Sequence, residues 1–207
     1  MSEPIAYFLS LVSPWSYMGH ALFLDIARRR GANVAYKPVP LNDVFSQTGG
    51  LPLARRHPAR RAYRMVELQR WRVRRGLSFH LEPAHWPFDA DPGNRAVLAI
   101  LAAGGDPGAF VGNAFAGVWE QQRDLADPAV LAELLAGAGF DAEAVLARAQ
   151  TPEIAAAYER NRRDAIVIGV FGAPSYVRDG EIFWGQDRLE LLDDALASGR
   201  PPFIAGA

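Results

Sequence analysis

Strand-type alternation stands at the two ends of this chain, and helix-type periodicity fills almost everything between them. Near the start, Ile5-Ala6-Tyr7-Phe8-Leu9 reads as a strand, Pro14 to Arg30 as a helix ended by Gly31, and Asn33-Val34-Ala35-Tyr36-Lys37 as a second strand. Two strands joined through one helix make a short parallel βαβ unit. Near the other end, Ser175-Tyr176-Val177-Arg178 and Glu181-Ile182-Phe183-Trp184 flank Asp179-Gly180, a two-residue hairpin turn. Gly185 ends that hairpin, and Asp187 to Ala197 repeats Leu189, Leu192 and Leu196 at helical spacing. Few folds place a parallel unit and an antiparallel unit so far apart in one chain.

These are the two halves of a thioredoxin-like fold split by a helical insert. The chain is therefore expected to be α/β, with residues 1–48 and 162–207 forming a discontinuous thioredoxin-like domain and residues 49–161 an all-helical insert. Within the insert, Asp91-Pro92, Asp106-Pro107, Asp127-Pro128 and Thr151-Pro152 each offer a side-chain acceptor followed by a proline that loses no needed N–H, so each marks a helix start. Val97, Ile100 and Leu101 form one apolar stripe, Leu131, Leu134 and Leu135 another, and Val145 with Leu146 a third. After Asn161 the pattern is read as returning to strands.

The chain has 207 residues, half of them hydrophobic, with a net charge of −1, which gives no general attraction to nucleic acid or to a membrane surface. From Arg55 to Arg75, however, nine arginines face a single acid, Glu67. Tyr63, Met65, Leu68 and Trp71 are interleaved with them, so the run reads as one amphipathic helix whose arginine stems cover apolar surface; no nucleic-acid partner is expected. Met1-Ser2-Glu3-Pro4 lacks a basic leader, and Ile5 to Val12 is too short for a membrane segment, so a soluble cytoplasmic protein is expected.

There is no cysteine, so the chain holds no disulfide and no thiol nucleophile of its own. Ser13 nevertheless sits where a reactive group would be placed. It has the side chain of a helix N-cap, Pro14 fits the first helical position, and the positive end of the helix with its free N–H cluster suits an anion such as a thiolate brought in by a ligand. An ordinary cap is the other reading of the same residues. The four histidines (20, 57, 80 and 85) show no metal spacing, and Gly169-Val170-Phe171-Gly172 lacks the spacing and lysine of a phosphate loop.

Taken together, Ser13-Pro14-Trp15-Ser16-Tyr17, Gly169-Val170-Phe171-Gly172-Ala173-Pro174-Ser175 and Trp184-Gly185-Gln186-Asp187-Arg188 resemble the family of 2-hydroxychromene-2-carboxylate isomerases and kappa-class glutathione transferases. Pro58-Ala59-Arg60-Arg61-Ala62-Tyr63 leading to Glu67-Leu68-Gln69-Arg70-Trp71 looks like the first helix of that family's insert, and Trp119 to Leu135 like a later one. The resemblance implies a DsbA-like fold, a homodimer and reduced glutathione as cofactor. It implies Ser13 as the catalytic residue at the glutathione sulfur, Ala173-Pro174 as a cis-proline edge whose free N–H and C=O pair with the cysteinyl backbone, and Gln186 with Asp187 as the grip on the γ-glutamyl end. Arg60 falls where the family carries a glutathione-binding lysine. Trp15, Arg61 and Trp86 are expected on the substrate side, although the rigid aromatic loop His85-Trp86-Pro87-Phe88 reads more economically as a hydrophobic lid over the insert.

The sequence departs from the family at Ser10, where an aspartate is common, and in Thr48-Gly49-Gly50-Leu51-Pro52, where an asparagine is usual. The activity implied is glutathione-dependent isomerisation of an aromatic acid. Conjugation by a kappa-class-like transferase is the alternative enzyme, and a cysteine-less thioredoxin-like binding module is the alternative without catalysis.

Overall fold

A computed structural model describes residues 3–205; Met1, Ser2, Gly206 and Ala207 lie outside the described residues, and with them the outermost bounds of the expected domain and the first half of Met1-Ser2-Glu3-Pro4. In chain order the elements are β1 (Ile5–Leu9), α1 (Pro14–Arg30), β2 (Val34–Pro38), α2 (Leu41–Thr48), α3 (Pro58–Arg74), α4 (Asp91–Ala102), α5 (Gly108–Trp119), α6 (Pro128–Gly137), α7 (Ala142–Ala149), α8 (Pro152–Ile168), β3 (Ser175–Arg178), β4 (Glu181–Trp184) and α9 (Leu189–Ser198). Short 3-10 turns occupy Leu53–Arg55 and Gln186–Arg188.

The strands form one sheet in the order β2-β1-β3-β4, with β1 and β2 parallel and the other pairs antiparallel. Successive side chains of a strand point to opposite faces, so β1 serves two cores. On one face Tyr7 lies opposite Tyr176 of β3, their rings stacked 5.2 Å apart, and Phe23 of α1 packs on both at 4.8 and 4.5 Å. On the other face Phe8 and Val177 meet Val44 of α2 and Ala165 of α8. Fully burying a side chain of this size contributes roughly 1.5–3 kcal/mol, which makes the central pair of strands the firmest part of the frame.

The hairpin is as expected. Asp179 and Gly180 have φ of 50° and 85°, the two positive values a tight turn between twisted strands requires. Helix α1 also begins and ends where the sequence put it, with Gly31 at φ 62° taking the left-handed cap position.

Elsewhere the boundaries differ for local reasons. Asp127 and Thr151 cap α6 and α8 through side-chain oxygens, but Asp91 lies inside α4 and accepts the Tyr158 hydroxyl at 2.7 Å instead. Asp106 sits one residue too early and closes a turn onto the Gly108 N–H at 2.9 Å. The arginine run is not one helix: His57 caps α3 by accepting the Ala59 N–H, and Pro58 tolerates only the first turn, so Arg55 and Arg56 precede it. Trp119 to Leu135 is likewise not one helix, since Trp119 ends α5 and Asp127-Pro128 starts α6. Helix α8 continues past Asn161 to Ile168, its β-branched tail Val167-Ile168 exposed, until Gly169 ends it at φ 90°. Helix α2 has no side-chain cap and carries no sequence signal of its own. Among the described residues no helix is long and apolar enough to cross a membrane.

Candidate active site

The loop from β1 to α1 is held from inside the insert. Asn94 of α4, fully buried, accepts the Leu11 N–H through Oδ1 at 3.2 Å and donates through Nδ2 to the Tyr158 hydroxyl at 2.9 Å. This places Ser13 at the mouth of α1, with extended backbone at φ −89° and ψ 118°. Its Oγ accepts the Ser16 N–H at 3.2 Å and donates to the Ala173 carbonyl at 3.0 Å. Pro14 has no N–H and Tyr17 donates to the Ser13 carbonyl, so Trp15 keeps the one first-turn N–H without a partner among the described residues. The free cluster expected from the sequence is thus a single donor.

Across the sheet, the Ala173-Pro174 peptide bond is cis. The Pro174 carbonyl accepts the Gly185 N–H at 2.9 Å, and the Ala173 N–H has no partner among the described residues. The Ala173 carbonyl, expected to be free, is paired with the Ser13 hydroxyl.

Gln186 is buried at the junction between β4 and α9, close above α1: a Cβ on Gly19 would stand 2.9 Å from the Gln186 Cβ and 2.6 Å from the Tyr176 hydroxyl. Its side-chain oxygen accepts from Arg75 Nε at 2.9 Å and its carbonyl from Arg75 Nη2 at 2.8 Å. Burial is the main cause that lowers the Arg75 pKa. Asp187 begins no α-helix; it lies in the 3-10 turn and pairs with Arg188.

Sequence reasoning passed over Arg75, although positions 64, 68, 71 and 75 fall on one face of a helix with Leu68 buried and Trp71 half-buried. The same face brings Arg64 onto Trp86, with its guanidinium carbon 5.0 Å from the ring centroid. The Trp86 indole N–H donates to the Val12 carbonyl at 2.8 Å, one residue before Ser13, and its ring lies 6.0 Å from that of Trp119. Trp15, two residues after Ser13, is half-buried and forms no ring pair among the described residues.

The structure therefore gathers Ser13, Ala173, Pro174 and Gln186, with Asp187 beside Gln186 and Trp86 reaching the loop before Ser13. Arg60 and Arg61 stand apart: both are exposed, and neither side chain has a hydrogen bond or ion pair among the described residues. A surface concavity of about 520 Å³ whose lining includes Trp184, Arg188, Leu191, Arg200 and Phe203 is lined by none of Ser13, Ala173, Pro174, Gln186 or Asp187. Among the described residues no three His, Cys, Asp or Glu side chains gather as a metal site.

A family model for a DSBA-like thioredoxin domain matches residues 4–197. A 2-hydroxychromene-2-carboxylate isomerase from Sphingobium xenophagum is 29% identical over 198 residues, covering 95% of this chain and 99% of that protein. One of the same name from Pseudomonas putida is 26% identical, with 93% of each covered. A solved structure of 2-hydroxychromene-2-carboxylate isomerase superposes with a TM-score of 0.82 at 24% identity, with 95% of each chain covered. The α/β fold with a helical insert expected from the sequence is borne out by these matches.

Proposed function

The chain belongs to the DSBA-like thioredoxin domain family, and on that footing we propose that it is a glutathione-dependent isomerase of the 2-hydroxychromene-2-carboxylate type. The isomerase name borne by relatives that match it over nearly their whole length supports the reaction class. The observation that carries the mechanism is the pairing of Ser13 with Ala173, beside two backbone N–H groups, those of Trp15 and Ala173, that have no partner among the described residues. Unpaired donors next to a movable hydroxyl fit a peptide thiol, whose backbone pairs with Ala173 and whose sulfur takes the hydroxyl. When bound, glutathione supplies a thiolate that adds reversibly to a conjugated double bond, so that rotation and departure return an isomer of the same composition.

Ser13 turns its O–H from the Ala173 carbonyl to the sulfur. A neutral hydrogen bond worth about 0.5–1.5 kcal/mol is exchanged for one to an anion worth about 1.5–3 kcal/mol. The N-terminus of α1 adds about 0.3–1 kcal/mol. The net, about 2 kcal/mol, brings a thiol of pKa about 8.5 to about 7. The same rotation frees the Ala173 carbonyl, so both backbone groups of Ala173 then face the cysteinyl residue. Gln186, fixed by Arg75, and the N–H groups of its 3-10 turn meet the γ-glutamyl carboxylate. Asp187 meets the γ-glutamyl ammonium; its bond to half-exposed Arg188 is a surface pair of the kind worth about 0–1 kcal/mol, so releasing it costs little. Trp15 and Trp86 line the side on which the aromatic substrate enters.

Titration with reduced glutathione by calorimetry, with thiolate absorbance followed against pH, tests this in the wild type and in Ser13→Ala. Saturable binding with a thiol pKa near 7 that returns to about 8.5 in the variant is expected. Absence of binding at millimolar glutathione ends the reading, and binding with an unshifted thiol removes Ser13 from the chemistry.

A further inference from the structure

We propose that Arg64, lying on the ring of Trp86, anchors the carboxylate of the substrate and makes this site selective for aromatic acids over their neutral analogues. The identity of the ligand as an aromatic acid rests on the isomerase reading above; the anion subsite rests on the following observations.

The other arginines of the run are accounted for. Arg70 pairs with Glu67 at 2.6 Å, Arg72 donates to the Phe79 carbonyl, Arg56 to the Leu51 carbonyl, Arg74 and Arg75 face Glu190, and Arg55, Arg60 and Arg61 are exposed to water. Arg64 is half-buried, has no ion pair among the described residues, and gives its one hydrogen bond to the Met65 sulfur at 3.7 Å. A guanidinium carries five N–H donors, and a thioether is a weak acceptor for one of them. Burial first, and then the nearby Arg56 charge, lower the Arg64 pKa to about 10, with Glu82 offsetting them only in part. The group is thus charged at neutral pH and short of anionic partners.

Its position directs that charge at the site. The guanidinium lies 5.0 Å from the Trp86 ring centroid, within cation–π range, and Trp86 is pinned by its indole N–H to the carbonyl before Ser13. A planar carboxylate matches the guanidinium fork, while the ring of an aromatic acid lies along Trp86.

The test measures binding of 2-hydroxycinnamate and of its uncharged methyl ester by calorimetry, without glutathione, to the wild type, Arg64→Met, Arg64→Lys and Arg61→Met. The wild type is expected to prefer the acid by at least about tenfold, as one charge-assisted hydrogen bond allows. Arg64→Met is expected to abolish that preference while leaving ester affinity unchanged, and Arg64→Lys to retain part of it, which separates lost charge from lost packing. No preference in the wild type, or an unchanged preference in Arg64→Met, overturns the assignment. A preference lost in Arg61→Met but kept in Arg64→Met overturns it too. Since the probes bind without thiol chemistry, an absent preference in the wild type beside intact glutathione binding fails this assignment alone. The converse result fails the isomerase reading and leaves the anion subsite standing.

Discussion

Arg75 grips Gln186 twice, through the side-chain oxygen at 2.9 Å and through the main-chain carbonyl at 2.8 Å. One cation on the far end of the insert helix thereby fixes both the rotamer and the backbone of the junction that precedes Asp187. Arg75 is a positioning residue, for it touches Gln186 and not the reacting atoms. Arg75→Met is expected to raise the KM for glutathione by about tenfold or more, the equivalent of one charged hydrogen bond, with kcat little changed. Arg75→Lys, which keeps the charge but not the fork, is expected to fall between them. A fall in kcat with KM unchanged would contradict this role.

Ser13→Cys places a sulfur where the Ser16 N–H is donated and where α1 presents its positive end. Hydrogen bonding and the helix terminus lower a thiol pKa, while burial at 3% exposure raises it. The donor is fixed and adjacent, so the sum is expected to be a thiol pKa below 8, measured from the pH dependence of alkylation by iodoacetamide. A value above 8.5 would mean that desolvation prevails.

His20 is buried beneath α5, its Nε2 3.2 Å from the Gly108 carbonyl, and burial pushes its pKa down to about 4. Its folded pKa is below the unfolded value of about 6.5, so protonation favours the unfolded chain. The stability tied to neutral His20 is complete above about pH 6.5 and falls away as the pH drops toward 4, by at most about 1.4 kcal/mol per unit and about 3 kcal/mol in all. Urea unfolding of wild type and His20→Gln across that window is expected to show the shallower slope in the variant.

Asn94 ties the insert to the loop that carries Ser13. Asn94→Leu removes the acceptor of the Leu11 N–H and the partner of the Tyr158 hydroxyl. The Leu11 N–H left unpaired costs about 1–3 kcal/mol and the lost bond to Tyr158, whose hydroxyl keeps Asp91, about 0.5–1.5 kcal/mol, so a loss of about 2–4 kcal/mol is expected on chemical denaturation. Tyr158→Phe, which also gives up the bond to Asp91, is expected to cost less, since Asn94 keeps its bond to Leu11. Equal losses would mean that the tyrosine, and not the asparagine, anchors the network.

What could be read from the sequence was what neighbours in the chain decide. The Asp179-Gly180 turn and the start of α1 at Ser13-Pro14 each depend on a few adjacent residues, and both stand where expected. The roles of Arg75 and Arg64 depend on residues far along the chain, Gln186 and Trp86: helical spacing puts positions 64 and 75 on the face of buried Leu68, but not what either guanidinium meets there. The pairing of the Ala173 carbonyl with Ser13 is of the same kind, because each group looks free until the other is placed. Helix α2 and the tail of α8 are not legible for another reason: α2 has no side-chain cap to mark its start, and exposed Val167-Ile168, β-branched residues that read as strand, simply continue the ladder of a helix already formed until Gly169 ends it.

The two halves of the Ser13–Ala173 contact are 160 residues apart, and β1 borders β3 from the same distant segment. A ribosome adding roughly 5–20 residues per second brings β3 out about 10–30 s after β1. From the moment β2 joins it until β3 arrives, β1 has β2 on one side and a bare edge on the other, a state open to pairing with the wrong chain. The Ser13–Ala173 pairing thus waits on a late segment, and a chain interrupted before residue 173 leaves β1 with an open edge and Ser13 without its partner.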